Sequence, residues 1–131
     1  MKQNLASHPG TIFLVLVAIG IISSSYLSAA QEQEIFILSA SEWNVPRTTE
    51  AILSMPALQK TIQAYNKVAA AKIQIRYPGG DEGTLWAHEL RSWFVSLGIA
   101  SHHIELLPGA RDVGQLELIV ISMPVDKQAV K

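Results

Sequence analysis

The residues whose types and spacing could bind a ligand or do chemistry are grouped around one glycine-rich turn. Pro78 to Gly83 reads PGGDEG and lies between an alternating apolar pattern and a helical one. Two adjacent glycines before a helix can present backbone N–H groups to an anion. Asp81 and Glu82 oppose such a ligand by their charge, whereas they stabilise the positive end of a helix dipole. The pattern therefore predicts a tight turn that leads into a helix.

The histidines do not have the spacing of metal ligands. His88-Glu89 is not followed by a second histidine four residues on, so the helix motif of zinc proteases is absent. His102 and His103 are adjacent, and their side chains diverge if this segment is extended. The sequence also lacks the G-x-S-x-G motif of a nucleophilic serine. We therefore predict no catalytic residue, no metal and no cofactor.

The three tryptophans have different predicted positions. Trp86 and Trp93 are seven residues apart, on one face of a helix, which is typical of a core stripe. Trp43 falls in a connection predicted from Ser39 to Pro46, where it could stack on a sugar or a partner, or fold back as a lid. The candidate binding surface combines the turn, the solvent side of the following helix and this tryptophan: Gly79, Gly80, Asp81, Glu82, His88, Arg91 and Trp43.

The composition limits the class of protein. The chain has 131 residues, with 10 Lys and Arg against 11 Asp and Glu, and a formal net charge of −1. This balance provides no field to hold a polyanion, so nucleic acid is not an expected partner. The absence of cysteine excludes disulfides, thiolate catalysis, zinc–thiolate sites and the acylated cysteine of a bacterial lipoprotein.

Residues 1–30 have the three-part pattern of a secretory signal peptide. A weakly basic start is followed by an apolar run from Thr11 to Ile22, and Ser28-Ala29-Ala30 offers small residues for cleavage before Gln31. An uncleaved anchor is the alternative, although a spanning helix needs about 20 apolar residues and the serines interrupt this segment. Both interpretations place the rest of the chain outside the cytoplasm, in the periplasm of a bacterium. The membrane would then be contacted through the N-terminal segment alone.

Residues 31–123 are predicted to form one α/β domain, and residues 124–131 a flexible tail. Four strands are predicted: alternating apolar residues indicate Lys72–Tyr77 and Leu116–Ser122, and short apolar segments indicate Ile35–Leu38 and Ile104–Leu107. Helical spacing predicts a helical region after Thr48 that breaks near Pro56, with the stripe Leu58, Ile62, Tyr65 and Ala69, and a second helix from Thr84 to Leu97 before Gly98. This order predicts an α/β (α+β) two-layer sandwich of βαβαβ(β) type, with two helices on one face of a small mixed sheet.

The order and spacing of these segments resemble the C-terminal domain of the OmpA family, a periplasmic peptidoglycan-binding module. The resemblance covers about residues 34–122 and rests on Ile73 to Arg76 for the central strand, Phe94 to Ile99 for the helix end, His103-Ile104 for the next strand, and Leu116 to Val120 for the last. It implies an OmpA-like fold and a periplasmic location. The family's ligand-binding residues are missing, since its aspartate position falls on Gly80 and its arginine position on Trp86. A similarity to small pilus-assembly proteins of the CpaD kind is weaker.

The predicted function is that of a non-catalytic periplasmic cell-envelope module. Its expected partner is peptidoglycan or another cell-envelope protein. One alternative is an accessory subunit of a secretion or pilus assembly machine, held by protein contacts. Another is a small periplasmic hydrolase that uses Asp81, Glu82 or His88, although no cleft is predicted around these residues.

Overall fold

The computed structural model of the chain describes residues 33–124. The segment predicted as a signal, residues 1–30, lies outside the described residues, as does residue 125 onward of the predicted tail. The elements, in chain order, are β1 (Glu34–Ser39), α1 (Ala40–Trp43), α2 (Thr49–Ser54), α3 (Pro56–Lys67), β2 (Ala71–Tyr77), α4 (Asp81–Ser96), a 3-10 turn (Ser101–His103), β3 (Ile104–Pro108) and β4 (Gln115–Ser122).

The four strands form one mixed sheet in the order β1-β4-β2-β3. β4 is antiparallel to both of its neighbours, so that Glu117 lies opposite Ile37 of β1 and Arg76 of β2. β2 and β3 are parallel and are joined through α4, as a parallel pair requires a crossover connection. The predicted α/β two-layer class with a small mixed sheet is therefore confirmed. The described residues contain four helices where two helical regions were predicted, because the first region divides and α1 forms inside the predicted connection.

Short-range hydrogen bonds determine where the first helices begin. Ser39 and Glu42 form a capping box, in which the Ser39 N–H donates to the Glu42 carboxylate at 3.1 Å and Ser39 Oγ accepts from the Glu42 N–H. Thr48 caps α2 through its side-chain oxygen. Pro56 occupies the first turn of α3, where its missing N–H is not needed. The predicted break between these two helices is confirmed, with Met55 in an extended conformation.

The core lies between the helices and one face of the sheet. All four helices contribute to it, so they lie on the same side, and the buried strand residues alternate along the chain. The strand side chains of this core are Leu38, Ala71, Ile73, Ile75, Ile104, Leu116, Leu118 and Val120. The opposite face, here named the open face, carries the intervening side chains: Ile35, Ile37, Lys72, Gln74, Arg76, Glu105, Leu107, Glu117, Ile119 and Ile121.

Two helix boundaries differ from the prediction. α4 begins at Asp81, three residues before Thr84, because Gly80 takes the N-cap position. α3 ends at Lys67, so Ala69 lies beyond the helix and is exposed instead of extending the buried stripe. The buried side of α3 is formed by Ala57, Leu58, Thr61 and Ala64. Both differences arise at helix ends, where apolar spacing carries little information about capping.

The end of α4 agrees with the prediction. Gly98 has a φ of +99 and takes the left-handed conformation expected after the helix. Its N–H donates to the carbonyl of Val95 at 3.0 Å, and the N–H of Ile99 donates to the carbonyl of Phe94 at 3.0 Å. These bonds satisfy carbonyl groups that the last helical turn leaves without partners.

Candidate functional site

The glycine-rich turn is a close-packed junction between β2 and α4. Pro78 is buried, whereas Gly79 and Gly80 are exposed, and Gly80 has a φ of +92, a conformation that side-chain-bearing residues rarely adopt. Gly83 is buried in the first turn of α4. A Cβ at Gly83 would overlap the carbonyl oxygen of Pro78 and lie 2.9 Å from its carbonyl carbon. The approach of α4 to the end of β2 therefore requires glycine at this position.

The two acids of the turn lie in the first turn of α4. Asp81 and Glu82 are both exposed, close to backbone N–H groups that have no intrahelical acceptor. The N-cap Gly80 has no side chain to cap these groups, and Thr84 Oγ1 donates to the Gly80 carbonyl at 2.8 Å. Their position is the one in which carboxylates stabilise a helix dipole.

The solvent side of α4 presents a continuous stripe of side chains. Leu85, His88, Ser92 and Val95 are all exposed and recur at three, four and three residues, which places them on one helix face. Asp81 lies on the same face one turn earlier. The prediction that His88 faces outward is therefore confirmed. We name the residues Leu85, His88, Ser92 and Val95 the α4 stripe.

Arg91 lies at the border of the α4 stripe and is half-buried. Its Nη2 atom is 3.4 Å from the carbonyl oxygen of Ser101, which precedes β3. The guanidinium therefore contacts the neighbouring segment while part of it stays in solvent. Of the predicted surface residues, the structure brings Asp81, His88 and Arg91 to one side of α4, with the two glycines at its N-terminal end.

Trp43 does not belong to this surface, so its inclusion in the candidate binding surface is wrong, whereas the alternative that it folds back as a lid agrees with its burial. Trp43 closes α1 and its side chain is 0% exposed. The Arg47 guanidinium lies 5.0 Å from the centre of the Trp43 ring, and Arg47 Nη1 donates to the Trp43 carbonyl at 2.9 Å. Arg47 also forms an ion pair with Glu89 of α4 at 2.9 Å. Trp43 is thus a core residue, and Arg47 links it to Glu89 of α4.

A buried carboxylate organises one end of the open face. Glu117 of β4 is 1% exposed. Its Oε2 atom lies 3.4 Å from Arg76 Nη1, and its Oε1 atom accepts the backbone N–H of Arg111 at 2.9 Å. The side chain of Arg111 extends past it, with Nε at 3.9 Å, and is 75% exposed. The network fixes the loop before β4 against the sheet, and its charges are largely paired with one another.

A second polar group on the open face joins β2 to β3. Gln74 Nε2 donates to the Glu105 carboxylate at 3.1 Å, and Lys72 Nζ lies 3.5 Å from the same oxygen. The hydrogen bond from Gln74, and to a smaller extent the charge of Lys72, hold the pKa of Glu105 below its usual range, although partial desolvation opposes them. Glu105 is therefore a stabilised carboxylate without the raised pKa that a general acid requires.

Tyr65 and His103 form a further pair, between α3 and the segment before β3. The Tyr65 hydroxyl lies 2.6 Å from Nδ1 of His103, and the ring of His102 packs edge-on against His103 with centroids 4.3 Å apart. The prediction that the two histidine side chains diverge is wrong, because this segment is a 3-10 turn instead of an extended chain. The Tyr65 bond stabilises the position of the His103 ring.

A groove of about 270 Å³ opens at the edge of β1, away from the glycine-rich turn. It is lined by Ile35, Phe36, Ile37, Glu42, Pro56, Ala57 and Lys60. Asp81, Glu82 and His88 do not line it, so it does not provide a cleft for the hydrolase alternative.

No protein-family model matches the chain, and no match was found among curated proteins or among solved structures. None of the helices between residues 33 and 124 has the length and apolar character that crossing a bilayer requires. In the same range, no group of three or more His, Cys, Asp or Glu side chains converges as metal ligands would.

Sequence reasoning missed the residues that form the ion pairs. Glu117 has a recognisable signal, since it is a charged residue in the middle of an otherwise apolar strand. Its partner Arg76 is 41 residues away, and local spacing does not predict such a contact. The same holds for Arg47 with Glu89 of α4, because Arg47 lies after α1 and the two residues meet through the tertiary fold.

Proposed function

We propose that this chain is a non-catalytic cell-envelope module that is exported to the periplasm and binds another protein. The signal-like pattern of residues 1–30 supports the location. A protein partner is favoured over a wall component because the exposed surface of α4 presents aliphatic side chains and no fully exposed tryptophan. An accessory subunit of a secretion or pilus assembly machine is one form that such a protein-binding module takes.

The observation that carries the proposal is the α4 stripe. Leu85 is 57% exposed and Val95 is 41% exposed, and they are separated by about 15 Å along the helix. His88 and Ser92 lie between them and offer hydrogen-bonding groups. Apolar anchors interspersed with a few polar groups are typical of protein–protein contact surfaces. Asp81 and Arg91 flank the stripe with opposite charges, which supports recognition of a partner with a complementary polar rim.

The aromatic residues favour a protein partner over the polysaccharide of the wall. Sugar recognition commonly uses an exposed aromatic face. Trp43 and Trp86 are buried, and Trp93 is half-buried. The aliphatic side chains of the α4 stripe provide no comparable stacking surface.

The resemblance to the OmpA family supports the proposed fold and the periplasmic location, but it does not support binding of that family's ligand. The order β1, α3, β2, α4, β3 and β4 supports the proposal, because the resemblance implies strand, helix, strand, helix and two strands; the short helices α1 and α2 lie in addition between β1 and α3. The family's arginine position falls on Trp86, which is 7% exposed and packs in the core. A residue in that position is not available to bind the carboxylate of a wall peptide.

Site-specific photo-crosslinking in a Gram-negative host tests the proposal. The full chain would carry a photoreactive residue at Leu85 in one variant and at Val95 in another. We expect both variants to give an adduct of the same mass in the envelope fraction. A matched control places the same residue at Gln63, which is exposed on α3 and away from the stripe, and should give no adduct of that mass.

Two further measurements separate the parts of the proposal. N-terminal mass analysis of the periplasmic protein is expected to give a chain that begins at Gln31, and an intact cytosolic N-terminus contradicts export. The purified protein is expected to remain in the supernatant when peptidoglycan sacculi are sedimented. Sedimentation with sacculi, together with equal crosslinking at Gln63 and Leu85, would reject the protein-binding role.

A further inference from the structure

β1 is an edge strand whose outer side has few of the features that normally prevent strand pairing. Within residues 33–124, its neighbour in the sheet is β4 on one side alone. β1 begins with the charged Glu34, but the segment from Ile35 to Leu38 contains no charge, no proline and no glycine. The other edge strand, β3, contains Glu105 and ends at Pro108, and charge and proline are common protections of an edge. The two edges of the sheet are therefore not equivalent.

The backbone groups on the outer side of β1 can be identified from its neighbours. The N–H of Ala40 donates to Gly114 at the β4 side, whereas the N–H of Ser39 is directed outward and donates to Glu42. Alternate residues of a strand direct their N–H and C=O groups to opposite edges. Ile37 and Ile35 therefore present their backbone donors and acceptors outward, where a strand is the natural partner.

We infer that β1 is a self-association edge, at which the β1 strands of two copies pair antiparallel around a two-fold axis at Phe36. An axis perpendicular to the sheet keeps the helix layers of both copies on the same side. Residues that face each other must then have numbers of the same parity. Centring the pair on Phe36 places Ile35 of each copy opposite Ile37 of the other, and each such pair exchanges two backbone hydrogen bonds. The paired sheets become one continuous sheet.

The side chains favour a second copy as the occupant. Ile35 is 41% exposed and Ile37 is 45% exposed, and the proposed register buries each against the other on the open face. On the helix side, Phe36 of each copy meets Phe36 of the other above the groove beside β1. Such self-complementarity is what an isologous two-fold interface requires.

Few charges border the edge at which the two copies would pair. Lys60 lines the groove and forms no ion pair with the residues that the structure describes. Glu34 lies on the helix side of β1, and the register places Glu34 of the second copy opposite Leu38. Glu42, the acid in the groove, is already held by Ser39. The net charge of −1 for each chain gives little repulsion between two copies.

Single cysteines in the full chain test the register, because the natural chain has no cysteine. In the proposed pair, the Cα atoms at position 36 are about 4.5 Å apart, which is within the range for a disulfide. We expect Phe36→Cys to form disulfide-linked dimers under mild oxidation. Ile35→Cys alone is about 7–8 Å from its own equivalent and should not crosslink, whereas a mixture of Ile35→Cys and Ile37→Cys proteins should.

Two controls keep the test independent of folding. Val113→Cys places a thiol on a side chain that is 85% exposed, and it measures collisional crosslinking. Because Phe36 is half-buried, circular dichroism of Phe36→Cys checks that the variant is folded, and the mixed Ile35→Cys and Ile37→Cys pair gives the same answer at exposed positions. Equal crosslinking of Val113→Cys and Phe36→Cys, or failure of the mixed pair, overturns the inference.

Sedimentation velocity provides the second test. The unmodified chain is expected to sediment as a dimer, and Ile37→Lys as a monomer with an unchanged melting temperature, because it puts a charge on an exposed edge position. A parent chain that remains monomeric at high concentration, or a different polypeptide crosslinked at position 36, rejects self-pairing at this edge.

Discussion

Replacing Gly83 by alanine tests the junction between β2 and α4, because two effects of opposite sign compete there. In an ordinary helix, glycine to alanine stabilises by about 1 kcal/mol. At Gly83 the added Cβ overlaps the carbonyl oxygen of Pro78 and lies 2.9 Å from its carbonyl carbon. The obstructing atoms are backbone, so they cannot move aside as a flexible side chain would. Overpacking of this kind costs about 1–3 kcal/mol, and occasionally more.

Because the overlapping atoms are backbone, we take the upper end of that range, about 3 kcal/mol; less the gain of about 1 kcal/mol in helix propensity, Gly83→Ala should lower the free energy of unfolding by about 2 kcal/mol. For a domain of this size, that corresponds to a decrease in Tm of about 8–16 °C. Urea denaturation and thermal melting, both followed by circular dichroism, measure the change.

Two neighbouring glycines provide matched controls for this substitution. Gly79 has no atom within 4 Å of an added Cβ and no positive φ, so Gly79→Ala should stay within about 0.5 kcal/mol of the parent. Gly80 has open space but a φ of +92 with a ψ of 176, so Gly80→Ala should cost about 1–3 kcal/mol through backbone strain alone. A Gly83→Ala variant as stable as the parent, or more stable, would refute the argument from the close contact with Pro78.

Three further substitutions test the core and the open face. Trp43→Ala should lower the free energy of unfolding by about 3–5 kcal/mol, because it removes a fully buried aromatic side chain. A change under about 1 kcal/mol in urea denaturation would contradict the burial of Trp43 in the core. Glu117→Ala should cost about 1–3 kcal/mol by leaving the Arg111 N–H without its acceptor, and hydrogen exchange at that amide should accelerate; unchanged exchange would contradict the role of the network. Because the pKa of Glu105 is lowered in the folded state, its contribution to stability is present above the ordinary carboxyl pKa of about 4.3 and is lost as the pH falls through the lowered value. Gln74→Leu should therefore raise the pKa of Glu105 in an NMR titration and weaken the acid dependence of unfolding. An unchanged titration would show that Gln74 is not the main cause of the lowered pKa.

The sequence by itself determined the class of the fold, because each part of that prediction depended on local patterns. Alternation of apolar residues located β2 and β4, short apolar segments located β1 and β3, and the change to helical spacing located α3 and α4. Turn and cap residues acted locally as well. Pro56 marked the break between two helices, and Gly98 marked the end of α4, since each needs a backbone conformation that few other residues accept. The candidate turn and the outward position of His88 followed from the same kind of information.

The tertiary structure alone decided what lies next to what. Trp43 reads as a loop residue in the sequence, but the packing of α1 against the sheet buries it completely. Glu117 forms an ion pair with Arg76 and accepts a hydrogen bond from the Arg111 N–H. The strand order brings Arg76 next to Glu117, and the loop before β4 brings the Arg111 backbone there. The position of β1 at an edge likewise follows from the insertion of β4 between β1 and β2. Periodicity specifies which face of an element is apolar, but long-range contacts depend on the relative placement of elements, which no local pattern encodes.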